Sequence, residues 1–209
     1  MGGSGDKTCR DGEGLGVGRE LARAFFCVHF RAMHTPGRGD QALRHHRVSI
    51  REACYFVTLC TKDRTGSLLL KEIATTIQAE LSSIENDGHW TQRAGVLMPD
   101  HMHLLVRLSG ELPIARCVAR FKTKTRQVLL AHRLSWQANF YEHRLRPDDL
   151  VGDVVHYIFM NPYRTGVVRE GTPYRWFWLG AADAAWFEPQ TDRGRPFPEW
   201  LRSREAHAP

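Results

Sequence analysis

The stretch Pro99-Asp100-His101-Met102-His103 lies between two apolar runs, Val96-Leu97-Met98 and Leu104-Leu105-Val106. Such runs read as strands, and the Pro-Asp step reads as the short connection or bulge between them. Side chains alternate along a strand, so His101 and His103 share one face and Met102 points the other way. The chain must therefore build a sheet with one apolar face and one face carrying two imidazoles. Two imidazoles held side by side form half of a divalent-metal site. An ordinary pair of surface histidines has the same spacing.

The flanking segments extend this sheet. Residues 53–61 are β-branched and aromatic and predict a first strand, followed by a turn over 62–66. Apolar residues at 69, 70, 73, 77, 81 and 84 predict a helix from Leu68 to Ile84, stopped by Asn86-Asp87-Gly88. Residues 90–98 and 101–108 are the second and third strands. A second helix is expected from Ile114 to His132, and Trp136 to Leu145 reads as a strand or an extended loop. Pro147-Asp148-Asp149 predicts the start of a third helix, because acidic residues favour the first turn. Its expected end is near Met160, where Asn161-Pro162 follows. The order strand–helix–strand–strand–helix–strand is the split βαβ pattern. It predicts an α+β, ferredoxin-like antiparallel sheet with helices on one face.

On the third helix Tyr157 and Asn161 are four apart and stack on one side. They fall at the border of the apolar face formed by Leu150, Val151, Val154, Val155 and Ile158. On spacing alone, a core tyrosine with an outward hydroxyl is the plainer reading of that position.

The chain has 209 residues, a net charge of +6 and 42% hydrophobic residues, enough for one core with attachments. The positive balance favours a polyanionic partner, nucleic acid before a membrane surface. Five widely spaced cysteines without a CxxC pair point to a reducing, cytoplasmic compartment and no thiolate zinc site. Residues 1–47 are Gly-rich, then basic, and read as a poorly ordered extension. Its apolar run Leu21–Phe30 is too short to span a bilayer and is expected to form a short amphipathic helix. Met33 is an alternative translation start. Arg44, His45, His46 and Arg47 form a candidate basic arm. The ordered domain is expected over 48–180, with a loop-rich tail over 181–209.

Several segments together resemble a known family. They are Met98-Pro99-Asp100-His101-Met102-His103-Leu104-Leu105-Val106, Phe121-Lys122, Trp136-Gln137, Phe140-Tyr141-Glu142-His143-Arg144-Leu145-Arg146 and His156-Tyr157-Ile158-Phe159-Met160-Asn161-Pro162, followed by Gly166-Val167-Val168. In this order and at these distances they look like the REP-associated tyrosine transposases, a branch of the single-tyrosine HUH transposases of bacterial insertion sequences. The resemblance covers about 48–180. It implies that His101 and His103 are the two histidines of the HUH motif and that Tyr157 is the nucleophile. It places Asn161 at a polar third metal ligand, the metal being Mg²⁺ or Mn²⁺. Asp100 would order a histidine from behind, and Glu142-His143 match a recurring acid–histidine pair.

The implied activity is nicking and strand transfer on single-stranded or hairpin DNA through a 5′-phosphotyrosine. Expected DNA contacts are Arg116, Arg120, Lys122, Lys124 and Arg126 of the second helix, with His143 and Arg146. A solvated helix face is the plainer account of the first five. Trp136, Trp176 and Trp178 are candidate stacking platforms. A domesticated hairpin-binding protein of the same fold, without cleavage, is the alternative function. Both a monomer and a homodimer fit the sequence.

Overall fold

The computed structural model describes residues 49–64, 66–192 and 194. The helix expected at 21–30, the basic arm at 44–47 and the end of the tail, with Trp200, lie outside the described residues. Five strands form one antiparallel sheet: β1 (Cys54–Cys60), β2 (Trp90–Leu97), β3 (His101–Leu108), β4 (Tyr141–Arg144) and β5 (Phe177–Leu179). Their order across the sheet is β4-β1-β3-β2-β5. The helices are α1 (Lys71–Asn86), α2 (Ile114–Lys124), α3 (Arg126–Ala131), α4 (Val151–Arg164) and α5 (Ala181–Ala184). The first four strands keep the split βαβ arrangement, and β5 extends it at the β2 edge. The class is α+β. No helix among the described residues is long and apolar enough to cross a membrane.

Register assigns each side chain to a face. Thr58 stands opposite His103, and Cys60 opposite His101. Phe56, Thr58 and Cys60 therefore share the histidine face. On the other face Tyr55, Val57, Leu59, Met102, Leu104, Val106 and Leu108 are buried. Trp90, which pairs with Leu108, belongs to that side and donates its Nε1–H to the Leu81 carbonyl of α1 at 3.3 Å. α1 covers this face with buried Ile73, Ile77, Leu81 and Ile84, and α2 packs beside it. α4 packs on the opposite face, against β2 and β3. The expectation of helices on one face thus describes α1 and α2 but not α4, whose Tyr157 ring lies against Phe56 and His103.

Two helix boundaries differ from the periodicity. The segment 114–132 breaks into α2 and α3 at Thr125. The Thr125 hydroxyl is fully buried, donates to the Phe121 carbonyl at 2.9 Å and accepts Trp136 Nε1–H at 2.8 Å. Such back-bonding competes with the regular helix. The third helix does not end at Met160 but runs through Asn161 and Pro162 to Arg164. Pro162 removes one helical hydrogen bond, from its own missing N–H. Burial of Phe159 and Met160 against Tyr163, Phe177 and Phe187 offsets that loss. Thr165 then closes the helix, giving both its N–H and its hydroxyl to the Asn161 carbonyl.

The segment 136–145 resolves into an isolated bridge, Trp136 opposite Thr61, and then β4. At the other edge Gly95 stands opposite Trp178. A Cβ on Gly95 would lie 2.3 Å from the indole, so only glycine admits the ring there.

Candidate active site

β3 is the middle strand, hydrogen-bonded on one side to β1 and on the other to β2. It fixes both histidines. The two rings lie 4.8 Å apart at 76°. His103 is fully buried, and its Nδ1 hydrogen-bonds with Thr58 Oγ1 at 2.8 Å. His101 Nδ1 hydrogen-bonds with Asp100 Oδ1 at 2.6 Å. Each imidazole thus uses Nδ1 for a protein partner. Burial, reinforced by the charges of His101 and Arg64, holds His103 well below the usual histidine range. That keeps the neutral ring, the form that binds metals.

Asp100 is shared. Its other oxygen accepts Arg64 Nε–H at 2.7 Å, and Arg64 Nη1 donates to Cys60 Sγ at 2.9 Å. Burial raises the Asp100 carboxyl, but the His101 hydrogen bond and the His101 and Arg64 charges outweigh it and hold it below the ordinary aspartate value. Arg64 reaches this place from a backbone in which Asp63 and Arg64 both have left-handed φ, 58° and 53°. Non-glycine residues held so cost energy and cluster at functional sites. Burial likewise pushes the Cys60 thiol up, partly countered by Arg64.

α4 brings the nucleophile candidate. The Tyr157 ring lies 5.5 Å from His103 at 64° and 5.8 Å from Phe56 at 78°. Phe56 also stacks on His103 at 5.3 Å. The Arg164 guanidinium sits 5.5 Å from the Tyr157 ring centre and is held by Asp192 through bonds of 2.8 and 2.5 Å. Asn161 follows one turn after Tyr157 and is buried, and its Oδ1 has no hydrogen-bond partner among the described residues. Buried amide oxygens are rarely left so. No three His, Cys, Asp or Glu side chains are arranged to hold a metal ion among the described residues. The donors the sequence points to are two imidazole nitrogens and an amide oxygen. By chemistry such a set would suit Mn²⁺ better than Mg²⁺, which prefers oxygen.

The family pattern described as "Transposase IS200 like" matches residues 49–146. It contains His101 and His103 and ends before α4. A Haemophilus influenzae protein, provisionally described as a REP-associated tyrosine transposase, is 33% identical over 129 residues, 55% of this chain and 73% of that one. The chain belongs to this transposase family. The REP-associated tyrosine transposase of Escherichia coli is 26% identical over 60% of this chain and 76% of its own. A solved structure of a REP-associated tyrosine transposase bound to a REP hairpin matches the fold with a TM-score of 0.56 at 21% identity. That match covers 64% of this chain and 81% of the other.

The second-helix cations expected to meet DNA lie on α2 and at the start of α3. α2 lies on the opposite face of the sheet. Arg120 is engaged within the protein, by an ion pair with Asp87 and a hydrogen bond to His89 Nε2 at 3.1 Å. Lys122 donates to the carbonyls of Gln137 and Asn139 at 2.8 and 2.9 Å. Arg116, Lys124 and Arg126 are exposed, and none makes an ion pair among the described residues.

His143 and Arg146 surround Asp149 on the β4 side. His143 Nε2 lies 3.0 Å from Asp149 Oδ2, which also accepts the Arg146 backbone N–H at 2.8 Å. Register puts His143 beside Phe56, on the histidine face, and Glu142 on the other.

Sequence reasoning missed Thr58, Arg64, Arg164 and Asp192. Thr58 was legible, because alternation from Cys54 puts it on the face of Cys60. The Arg164–Asp192 pair spans 28 residues without a local signal.

Proposed function

We propose that the chain is a DNA endonuclease and strand transferase acting on single-stranded or hairpin DNA, with residues 48–180 as its transferase domain. The observation that carries this reading is the Tyr157 ring packed 5.5 Å from His103, on the face that carries both histidines. Tyr157 Oη attacks the phosphorus, the bond from phosphorus to the 3′ oxygen breaks, and a 5′-phosphotyrosine forms. The phenolic proton leaves to solvent and the departing 3′ oxygen takes one up. A 3′-OH attacking the ester reverses these bonds and joins strands with no further energy source.

His101, His103 and Asn161 would hold Mg²⁺ or Mn²⁺, which when bound neutralises charge developing on the phosphate. Thr58 and Asp100 fix the two rings from behind. Phe56 packs against both His103 and Tyr157 and supports the ring geometry. The hairpin bound by the structural relative supports a hairpin substrate here. Histidines and tyrosine from one chain meet without a second copy, which supports action as a monomer. A DNA substrate would support a cytoplasmic location.

The test is incubation with labelled hairpin DNA and Mn²⁺. A covalent protein–DNA adduct, absent in Tyr157→Phe, is expected. Binding without an adduct in the wild type would instead leave a hairpin-binding protein without cleavage.

A further inference from the structure

A cleft of about 320 Å³ lies between α2, α3 and the 135–138 segment. This is the small end of ligand pockets, room for one nucleotide and not for a duplex. Trp136 forms part of its wall. The indole is anchored at Nε1 by Thr125 and packed 5.8 Å from the Phe121 ring. A purely structural tryptophan would be held the same way. What points to a ligand is its company. Arg126 is exposed beside it, with no ion pair among the described residues, and Leu130 is 51% exposed. No acidic side chain lines the cleft. Lys122 is committed to the carbonyls of residues 137–139 and shapes the wall.

The cleft lies at the end of the sheet that carries His101. Trp136 bridges Thr61, the residue after Cys60, and Cys60 stands opposite His101. Two strand spacings separate them, about 10 Å. A strand leaving the histidine face has to pass around the end of β1 to arrive there.

We propose that this cleft binds one unpaired nucleotide of the DNA, its base against Trp136 and its phosphate at Arg126. An aromatic platform beside a cation is how proteins hold single strands without reading their sequence. The inference rests on the DNA reading above and adds a place for the single-stranded flank.

The test compares two labelled hairpins on the full chain, one blunt and one with a short single-stranded flank. The wild type is expected to bind the flanked hairpin about tenfold more tightly, the worth of one stacked base. Arg126→Gln and Trp136→Leu should collapse that ratio, and Trp136→Phe should keep most of it. If Trp136→Leu fails to fold, the exposed Arg126→Gln decides. A wild type that binds both hairpins equally, or variants that keep its preference, overturns the subsite and leaves the DNA reading standing. A wild type that binds neither hairpin overturns both.

Discussion

The rings of His103 and Tyr157 stand 5.5 Å apart at 64°, with the Phe56 ring packed against both. One comes from the middle strand and the other from the helix laid over it. Each is supported from behind by a different group, Thr58 for the histidine and Arg164 for the tyrosine. The predictions below probe those supports and the frame that carries them.

Thr58→Val keeps the volume of the side chain and removes the Nδ1 partner of His103. Loss of such a partner lowers metal affinity by roughly 10–100-fold. Titration calorimetry with Mn²⁺ measures it, and Thr58→Ser should restore most of the affinity. Equal affinity in Thr58→Val would mean that His103 is not oriented for a metal.

Asn161 is the proposed third ligand. Asn161→Ala should weaken Mn²⁺ binding on the order of tenfold, and Asn161→Asp should tighten it by supplying a charged oxygen. Mn²⁺ electron paramagnetic resonance reports bound against free ion directly. The same affinity in all three proteins would remove Asn161 from the site.

Lys122 gives a pH dependence. Burial holds its ammonium down to about 8, against an ordinary 10.5. Between those values the unfolded chain binds more protons than the folded one, so this group makes stability rise with pH through that window. Lys122→Met lacks the titration. The stability difference between wild type and variant should therefore shift toward the wild type from about pH 7 to about pH 10. Urea denaturation at each pH measures it, and a flat difference contradicts the shifted lysine.

Gly95→Ala tests the β2–β5 edge. The added methyl meets the Trp178 indole at 2.3 Å, and overpacking of this kind costs about 1–3 kcal/mol. Chemical denaturation should show that loss, and an unchanged midpoint would mean that Trp178 swings clear.

Much of this frame was legible because local patterning and tertiary packing agree. The alternation around His101 and His103 placed both on one face, and the i, i+4 spacing placed Tyr157 and Asn161 on one side of a helix. The end of α4 was not legible. Local preference reads Pro162 as a stop, whereas burial of Phe159 and Met160 against β5 carries the helix past it. Thr125 was hidden in the same way, since its partner Trp136 comes eleven residues later. The Arg93–Asp183 ion pair joins residues 90 apart at the register shift of β2, with no local signal in the sequence. The second-helix cations read as a surface for DNA phosphates or a solvated helix face, and only the fold shows that α2 packs beside α1, with Arg120 and Lys122 engaged within the protein.

The alternation in β3 also limits which changes in gene length the protein can survive. Every second residue from His101 to Leu105 belongs to one face, with Met102 and Leu104 on the other. A single codon gained or lost between Pro99 and His103 would leave the strand as apolar as before, yet turn an imidazole into the layer beneath α1 and α2. Substitutions here can be graded, but an insertion or deletion cannot.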